Sequence, residues 1–185
     1  KYDYTPTGGL VSKVTDANNR ETRYGYDTAG NVTSETDALG QSTTSTYDLN
    51  GNRKSSTVTR TVNGSPQTIT TSYDYDRQNR LTKSTYADGT TTETVYNAIG
   101  KVEISRDQQG RETRYSYDDM GQLTQTTHPD GKFERATYDP EGRRLTSTDR
   151  QNRTTTSEYD AVGRLKKTIY PDTTFTETTY DQIGR

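Results

Sequence analysis

Residues 159–164 read YDAVGR, and 21 residues later residues 180–185 read YDQIGR. This pair is one instance of a pattern that runs along the whole chain, in which a tyrosine is followed four residues later by Gly or Asn. Successive motif tyrosines are separated by 22, 21, 28, 21, 21, 21, 21 and 21 residues. A fixed period of this length predicts a protein built from repeated structural units. The motif tyrosines are Tyr4, Tyr26, Tyr47, Tyr75, Tyr96, Tyr117, Tyr138, Tyr159 and Tyr180.

Each motif tyrosine opens a first turn of the form Y-D-x-x-G. In YDPEG (138–142), Pro140 favours a type I turn and Gly142 supplies the positive φ that the next position requires. Asn79 replaces the glycine in one unit, and Asn is the residue other than Gly that best tolerates this conformation. We therefore predict that the turn position is occupied by Gly30, Gly51, Asn79, Gly100, Gly121, Gly142, Gly163 and Gly184.

A second turn follows about half a unit later. DALGQ (37–41) and DQQGR (107–111) carry Gly at the fourth place, and Asn19 and Asn152 take that place elsewhere. Thr173 in YPDTT is the exception. Two turns per 21 residues leave two segments of about six or seven residues, a normal strand length.

Between the turns, side chains alternate with the period of a β-strand. In RLKKTIY (164–170), Leu165, Lys167 and Ile169 share one face. The 15 tyrosines and abundant threonines are strand formers, and no stretch shows a helical apolar period. We predict an all-β protein of tandem hairpins, with about 18 strands in a coiling antiparallel sheet. The motif tyrosines should form a ladder along it, with a line of Leu and Val residues that includes Leu10 and Leu145.

One spacing is irregular. The step of 28 residues between Tyr47 and Tyr75 contains two Thr/Val/Ile runs around Asn63-Gly64, which is a strong hairpin signal. We predict a longer hairpin at residues 53–75 that projects beyond the edge of the sheet. Residues 1–185 otherwise form one repeat segment of about nine units, which we interpret as a fragment of a longer chain.

Composition argues against several classes of function. A net charge of −2 with dispersed signs gives no basic stripe for nucleic acid, and no apolar run is long enough for membrane insertion. The chain has no Cys, so disulfides and thiol catalysis are excluded. We expect no cofactor and no metal site, because each turn offers too few carboxylates for calcium and Asp most often caps its own turn.

Two residue types remain as candidates for binding or catalysis. His128 is the only histidine, but it occupies a position that Asp or Tyr fills in other units, so we interpret it as a turn residue. Exposed tyrosines could stack on sugar rings, whereas motif tyrosines that recur at the structural period are more consistent with a structural ladder. No constellation predicts an enzyme.

The motifs YDAVGRL (159–165), YDPEGRRL (138–145), YDTAGNV (26–32) and YDLNGNR (47–53) resemble the YD repeats of the RHS family over essentially the whole chain. That resemblance implies a spiral β-sheet that forms a hollow shell, as in Rhs-type polymorphic toxins, insecticidal toxin complexes, wall-associated proteins and teneurins. It also implies a C-terminal toxin or effector domain inside the shell. The chain shows no self-cleaving aspartyl region, so no protease residue is assigned.

The resemblance leads to two hypotheses about function. The first is a non-enzymatic length of shell wall, secreted or at the cell surface of a bacterium, whose partner is the remainder of its own polypeptide. The second is an extracellular adhesive surface that binds cell-surface glycans. Which face lines the interior is left open.

Overall fold

The computed structural model describes residues 1–181, 183 and 184, so the turn motif's last copy, YDQIGR, is described except at positions 182 and 185. The described residues contain only β-strands and turns, which confirms the all-β prediction. Seventeen strands are present among them, against the predicted number of about 18. The chain divides into two compact units, Lys1–Glu93 and Thr94–Arg185.

The first unit begins with strands that pair in chain order and antiparallel through short turns. β9 pairs with β8 through residues 91–93, and its last three residues fall in the second unit. The strands are β1 (Tyr2–Tyr4), β2 (Val11–Thr15), β3 (Glu21–Tyr26), β4 (Val32–Thr36), β5 (Ser42–Tyr47), β6 (Arg53–Val62), β7 (Ser65–Tyr75), β8 (Leu81–Thr85) and β9 (Thr91–Tyr96).

The second unit repeats the same arrangement without an insertion. Its strands also pair with their chain neighbours, antiparallel throughout. They are β10 (Val102–Arg106), β11 (Glu112–Tyr117), β12 (Leu123–Thr127), β13 (Phe133–Tyr138), β14 (Arg144–Thr148), β15 (Thr154–Tyr159), β16 (Leu165–Ile169) and β17 (Phe175–Glu177).

The long hairpin is formed by β6 and β7. Asn63 and Gly64 have φ values of 51° and 77°, as a two-residue hairpin turn with positive φ at both positions requires. β5 pairs with β6 only as far as Thr59, so the part of the hairpin nearest its tip has no further strand beside it in this register. Pro66 lies in that part of β7, where a missing N–H disturbs no second ladder.

A β-bulge lies beside the motif tyrosine in hairpins closed by a first turn, such as those of β3 with β4, β11 with β12 and β13 with β14. In the hairpin of β13 and β14, Thr137 pairs with Thr146 but Tyr138 pairs with Arg144, so Leu145 is the extra residue. The hairpin of β15 and β16 has the same bulge at Lys166, so Leu145 is displaced from the predicted line because Arg144 occupies the paired position that Leu165 has there. Leu10 is displaced for a different reason, since β2 begins at Val11, which is the true counterpart of Val32.

No hydrophobic side chain is buried among the described residues, and the only buried polar side chains there are Ser45 and Ser84. The motif tyrosines at the strand ends are partly covered, except for Tyr4, which is 59% exposed. A single-layer sheet can bury side chains only beneath their neighbours on the same face. Order in each unit therefore comes mainly from backbone ladders and from contacts between successive repeats.

Candidate functional site

The first turns are closed by the aspartate of the Y-D motif. In the turn that follows β15, the Gly163 N–H donates to the Asp160 carbonyl at 2.9 Å, and the Asp160 N–H donates to the Arg164 carbonyl at 2.9 Å. The Asp160 carboxylate accepts the N–H groups of Val162 at 3.0 Å and Arg164 at 2.8 Å. The side chain thus satisfies donors that the tight turn leaves without a backbone partner.

Arginine at the end of the motif completes this cap. Arg164 Nε donates to the second oxygen of Asp160 at 2.7 Å, and Arg143 binds Asp139 in the same way at 2.6 Å. The Arg164 backbone N–H, ahead of the Arg164 side chain, holds the pKa of the Asp160 carboxyl below its usual range against the opposing effect of burial. In a second turn, the Arg111 side chain is the main cause of the lowered pKa of Asp107.

Seven of the motif tyrosines bind their own repeat to the one before it. The Tyr117 hydroxyl donates to the Val102 carbonyl at 2.8 Å, 15 residues earlier in the chain. For Tyr75 the separation is 22 residues, to Arg53 at 3.0 Å, because the long hairpin intervenes. The other pairs with the separation of 15 are Tyr26 with Val11, Tyr47 with Val32, Tyr138 with Leu123, Tyr159 with Arg144 and Tyr180 with Leu165.

The tyrosine rings also lie beneath the arginines of the preceding turn. The Arg143 guanidinium is 5.2 Å from the ring centroid of Tyr159, and the Arg164 guanidinium is 4.2 Å from that of Tyr180. These distances fit cation–π contacts. Each of these arginines therefore connects the aspartate of its own turn with the tyrosine of the next repeat, which explains why Y, D and R recur in one motif.

The first turns lie against one another, and we call the edge that they form the stacked edge. All eight predicted turn positions have positive φ, including Asn79 at 61° and Gly163 at 85°. A Cβ built on Gly163 would lie 2.8 Å from Arg143 Nη1 of the preceding turn, so glycine is favoured by space as well as by conformation. Asn79 instead accepts hydrogen bonds from Asn50 and Asn52 of the preceding turn, at 3.1 and 2.7 Å.

The second turns form the opposite, open edge. A Cβ built on Gly40, Gly89, Gly110 or Gly131 would meet no atom within 4 Å. These glycines are therefore required by their positive φ alone. Thr173 adopts the same conformation with φ of 68°, so the turn keeps its geometry despite the side chain.

Second turns are capped in two ways, which the sequence reading missed. Asp107 caps from the first turn position, accepting the N–H groups of Gln109 and Arg111. Where the first residue is Tyr or His, an aspartate two places later accepts the N–H of the turn's last residue, as Asp88 does for Thr90 at 2.9 Å. Such turns begin at Tyr86, His128 and Tyr170, at intervals of 42 residues. A search at twice the basic period would have found this alternation.

His128 occupies the first position of one such turn. Its N–H donates to the Lys132 carbonyl at 2.8 Å and its carbonyl accepts the Gly131 N–H at 2.9 Å. Its Nε2 atom is shielded from solvent and lies 3.5 Å from Glu134 Oε1. The side chain has the acidic neighbour Glu134, and the backbone bonds of His128 are those of a turn residue.

Cross-strand ion pairs lie next to the second turns. Arg106 pairs in register with Glu112 across β10 and β11 at 2.9 Å, and Glu112 also contacts Arg114. Lys83 and Glu93 make another cross-strand pair at 3.4 Å in β8 and β9, two residues further from the turn. Partly exposed pairs of this kind contribute at most about 1 kcal/mol each, so they favour one strand register rather than forming a binding site.

No group of three or more His, Cys, Asp or Glu side chains within residues 1–181, 183 and 184 is arranged to hold a metal ion. The same residues contain no helix of the length and hydropathy needed to cross a membrane.

The sequence profile of the RHS Repeat family matches residues 4–42, 26–66, 64–91, 96–132 and 138–174. The chain belongs to the RHS repeat family. This confirms the resemblance drawn from the YD motifs, and it places the stacked turns and tyrosine bonds described above in the context of RHS repeats. No curated protein sequence matches the chain significantly.

Solved structures show the same fold. The RHS repeat chain is similar to "TcdB2-TccC3 without hypervariable C-terminal region", with a TM-score of 0.66 and 17% identity over 92% of the present chain. It is also similar to TcdB2-TccC3, with a TM-score of 0.66 and 18% identity over 97%. The RHS repeat chain spans about a tenth of the length of these solved chains, 10% and 12% respectively.

Proposed function

We propose that this RHS repeat chain is a structural length of shell wall, which encloses or presents a C-terminal toxin or effector domain of the same polypeptide. The observation that carries the proposal is the contact between successive repeats. Seven motif tyrosines donate the hydroxyl to a carbonyl of the preceding unit, as in Tyr117 with Val102 at 2.8 Å. A single-layer sheet built this way can be extended unit by unit without a closed core, as a wall requires.

The polar side chains support a structural rather than a catalytic role. Turn aspartates such as Asp160 bind the backbone of their own turn, and arginines such as Arg164 bind those aspartates. The similarity to TcdB2-TccC3 without its hypervariable C-terminal region supports a repeat segment followed by a variable domain. We further propose that the protein is secreted or at the cell surface of a bacterium.

Limited proteolysis of the full-length protein tests this proposal. We expect a C-terminal fragment that resists protease, stays associated with the repeats after cleavage of the connecting chain, and separates only on denaturation. Replacing both Tyr117 and Tyr138 by Ala should make that fragment accessible, because two bonds between repeats are lost. Tyr115→Ala is the matched control, since the Tyr115 hydroxyl has no hydrogen-bond partner among the described residues.

A repeat segment that leaves the C-terminal region fully sensitive to protease, and that binds glycans on an array, would overturn the proposal. That result would favour the adhesive surface. If the protein with both Tyr117→Ala and Tyr138→Ala protected the fragment as well as the wild type does, the tyrosine bonds between repeats would not be the cause of that protection.

A further inference from the structure

Two Asn-Gly bonds occur in the chain, Asn50-Gly51 and Asn63-Gly64. Such a bond can react internally, because the backbone nitrogen of the glycine can attack the side-chain carbonyl carbon of the asparagine before it. Glycine has no Cβ that would obstruct this approach. The two bonds have different surroundings in the structure, and these surroundings decide which asparagine can react in the folded protein.

The Asn63-Gly64 bond forms the tip of the β6–β7 hairpin. Both residues are exposed, and a Cβ built on Gly64 would meet no atom within 4 Å. Within the described part of the chain, neither the Asn63 side chain nor the Gly64 N–H has a hydrogen-bond partner. The attacking nitrogen and the amide group that must leave are therefore both unrestrained.

The tip can open without disturbing the rest of the sheet. β5 pairs with β6 only as far as Thr59, and β8 pairs with β7 only from Ser72, so residues 60–67 form a two-stranded ribbon. Two-stranded ribbons are marginally stable in water, so the tip opens at a low cost in free energy. Opening lets the Asn63 backbone leave its turn conformation, with φ of 51°, and lets the Gly64 nitrogen reach the side-chain carbonyl.

Three hydrogen bonds restrain the Asn50-Gly51 bond on the stacked edge. The Gly51 N–H donates to the Asp48 carbonyl at 3.1 Å, and the Asn50 N–H donates to the Asp48 carboxylate at 2.9 Å. Asn50 Nδ2 donates to Asn79 Oδ1 at 3.1 Å. The attacking nitrogen is thus oriented by its own turn and the leaving amide is bound by the next turn, so the reaction at Asn50 requires that these contacts break first.

We propose that Asn63 is a site of self-modification, at which the folded protein converts asparagine to aspartate or isoaspartate while Asn50 stays intact. The Gly64 nitrogen loses its proton and forms a bond with the side-chain carbonyl carbon of Asn63. The bond from that carbon to Nδ2 breaks, and the amide leaves as ammonia. The resulting cyclic imide is opened by addition of water to either of its carbonyls, which gives aspartate or isoaspartate without an oxidant, a reductant or an enzyme.

The modification changes the charge and the shape of the hairpin tip. Arg60 is the only charged residue between Ser55 and Tyr73, so the new carboxylate neutralises the hairpin. Aspartate tolerates the positive φ of Asn63, whereas isoaspartate adds a carbon to the backbone and does not fit a two-residue turn. The tip therefore changes with the age of the protein, whether or not the repeats enclose another domain.

Peptide mapping of the full-length protein tests this proposal. The protein is incubated in mildly alkaline buffer, either folded or unfolded in urea, and is then digested with trypsin for mass spectrometry. Peptides 61–77 and 24–53 carry Asn63 and Asn50 respectively. In the folded protein we expect conversion at Asn63 to be at least about tenfold faster, because hydrogen bonds at Asn50 must break first. In urea the two rates should converge, because both sites have the same dipeptide.

Two variants separate the causes of the difference. Asn79→Gly keeps a residue suited to positive φ but removes the acceptor of the Asn50 amide, so conversion at Asn50 should become faster while that at Asn63 stays unchanged. Thr61→Cys with Pro66→Cys places two cysteines at the strand pair beside the turn pair. Oxidation of these cysteines should slow conversion at Asn63 several-fold relative to the reduced protein, because the disulfide keeps the tip closed.

Several results would overturn the proposal. Equal rates at Asn63 and Asn50 in the folded protein would do so, as would conversion of Asn63 in urea without conversion in the folded protein. A rate at Asn50 that Asn79→Gly leaves unchanged would remove the protective role given to Asn79. A rate at Asn63 that is the same with and without the engineered disulfide would exclude local opening of the tip as the route of the reaction.

Discussion

At the residue scale, the repeat depends on side chains that form hydrogen bonds with backbone groups of other residues. Asp160 binds two N–H groups of its own turn, and Tyr117 binds a carbonyl of the preceding repeat. Burial of the Tyr117 hydroxyl, with a smaller effect of Tyr115, raises the pKa of Tyr117. With no buried hydrophobic side chain among the described residues, these bonds are a larger fraction of the stabilising contacts than in a globular domain.

Tyr117→Phe removes one of these bonds and leaves the ring in place. We expect the free energy of unfolding to fall by about 1 kcal/mol, the usual net contribution of such a hydrogen bond. Urea unfolding followed by circular dichroism measures the change. Tyr115→Phe is the control and should match the wild type, and an equal loss in both variants would contradict the role given to the Tyr117 hydroxyl.

Gly163→Ala and Gly110→Ala separate the two demands on turn glycines. Both positions have positive φ, 85° and 73°, so both variants should lose about 1 kcal/mol from backbone strain. Gly163→Ala should lose more, because its Cβ would lie 2.8 Å from Arg143 Nη1 and displace that side chain from Asp139 and Tyr159. Equal midpoints of urea unfolding in the two variants would show that Gly163 does not pack closely against Arg143 of the preceding turn.

The position of each turn could be predicted from sequence, but the contacts between turns could not. Gly or Asn at fixed offsets is a local signal for positive φ, and Asn63-Gly64 is a local signal for a hairpin. The bond from Tyr117 to Val102 depends on the register of two strands and on a bulge, which no single residue reports. The contact of Arg143 with the Tyr159 ring could not be predicted for the same reason, because it too depends on how one turn lies against the next.

At the scale of the element, the hairpin turn is a module with interchangeable caps. An aspartate at the first place of the turn, such as Asp107, accepts the N–H of the turn's last residue. An aspartate at the third place, such as Asp88, accepts the same N–H. The two kinds alternate from Tyr86 onward, and Arg150 of one kind reaches Asp130 of the other at 2.6 Å.

Asp107→Tyr removes the cap of one second turn, and we expect a lower midpoint of urea unfolding. Adding Gln109→Asp should recover most of that loss, because it recreates the sequence pattern of residues 86–90, in which Asp88 accepts the Thr90 N–H. Gln109→Asp alone should change little. Failure of the double variant to recover would show that the two caps are not interchangeable.

We expect acid to unfold the protein by protonating the aspartates of its turns. The pKa values of Asp27, Asp107 and Asp160 are lowered in the folded state, chiefly by the Asn31 side chain, the Arg111 side chain and the Arg164 N–H respectively. A carboxyl with a lowered folded pKa contributes stability above its unfolded value of about 3.9 and loses it as the pH falls through the folded value. The thermal midpoint should therefore drop below about pH 4. Asp107→Asn should flatten that dependence, and an identical acid limb in the variant would contradict the assignment.

At the scale of the whole molecule, the chain is a series of units that differ little in their contacts. The step of 21 residues repeats because each unit must present the same tyrosine, turn and carbonyl to its neighbours. The long hairpin of β6 and β7 adds residues at one place without changing the bond between Tyr75 and Arg53.

Removal of a whole unit should preserve the fold. Deleting residues 118–138 joins Tyr117 to Asp139, so the Y-D motif and the following turn are regenerated. We expect a β-type circular dichroism spectrum and cooperative thermal unfolding at a lower midpoint, because one set of contacts is lost. Deleting only residues 118–128 joins Tyr117 to Pro129 and should abolish cooperative unfolding. Similar behaviour of the two proteins would argue against a 21-residue structural period.

The tyrosine bonds described above all point in one direction along the chain. The donor hydroxyl always belongs to the later unit and the acceptor carbonyl to the earlier one, as in Tyr159 with Arg144. During translation the acceptor therefore leaves the ribosome first, and each newly emerged tyrosine finds its partner already in place. The sheet can grow at its C-terminal end in the order of synthesis, so a nascent chain need not wait for distant residues to complete the units it has already made.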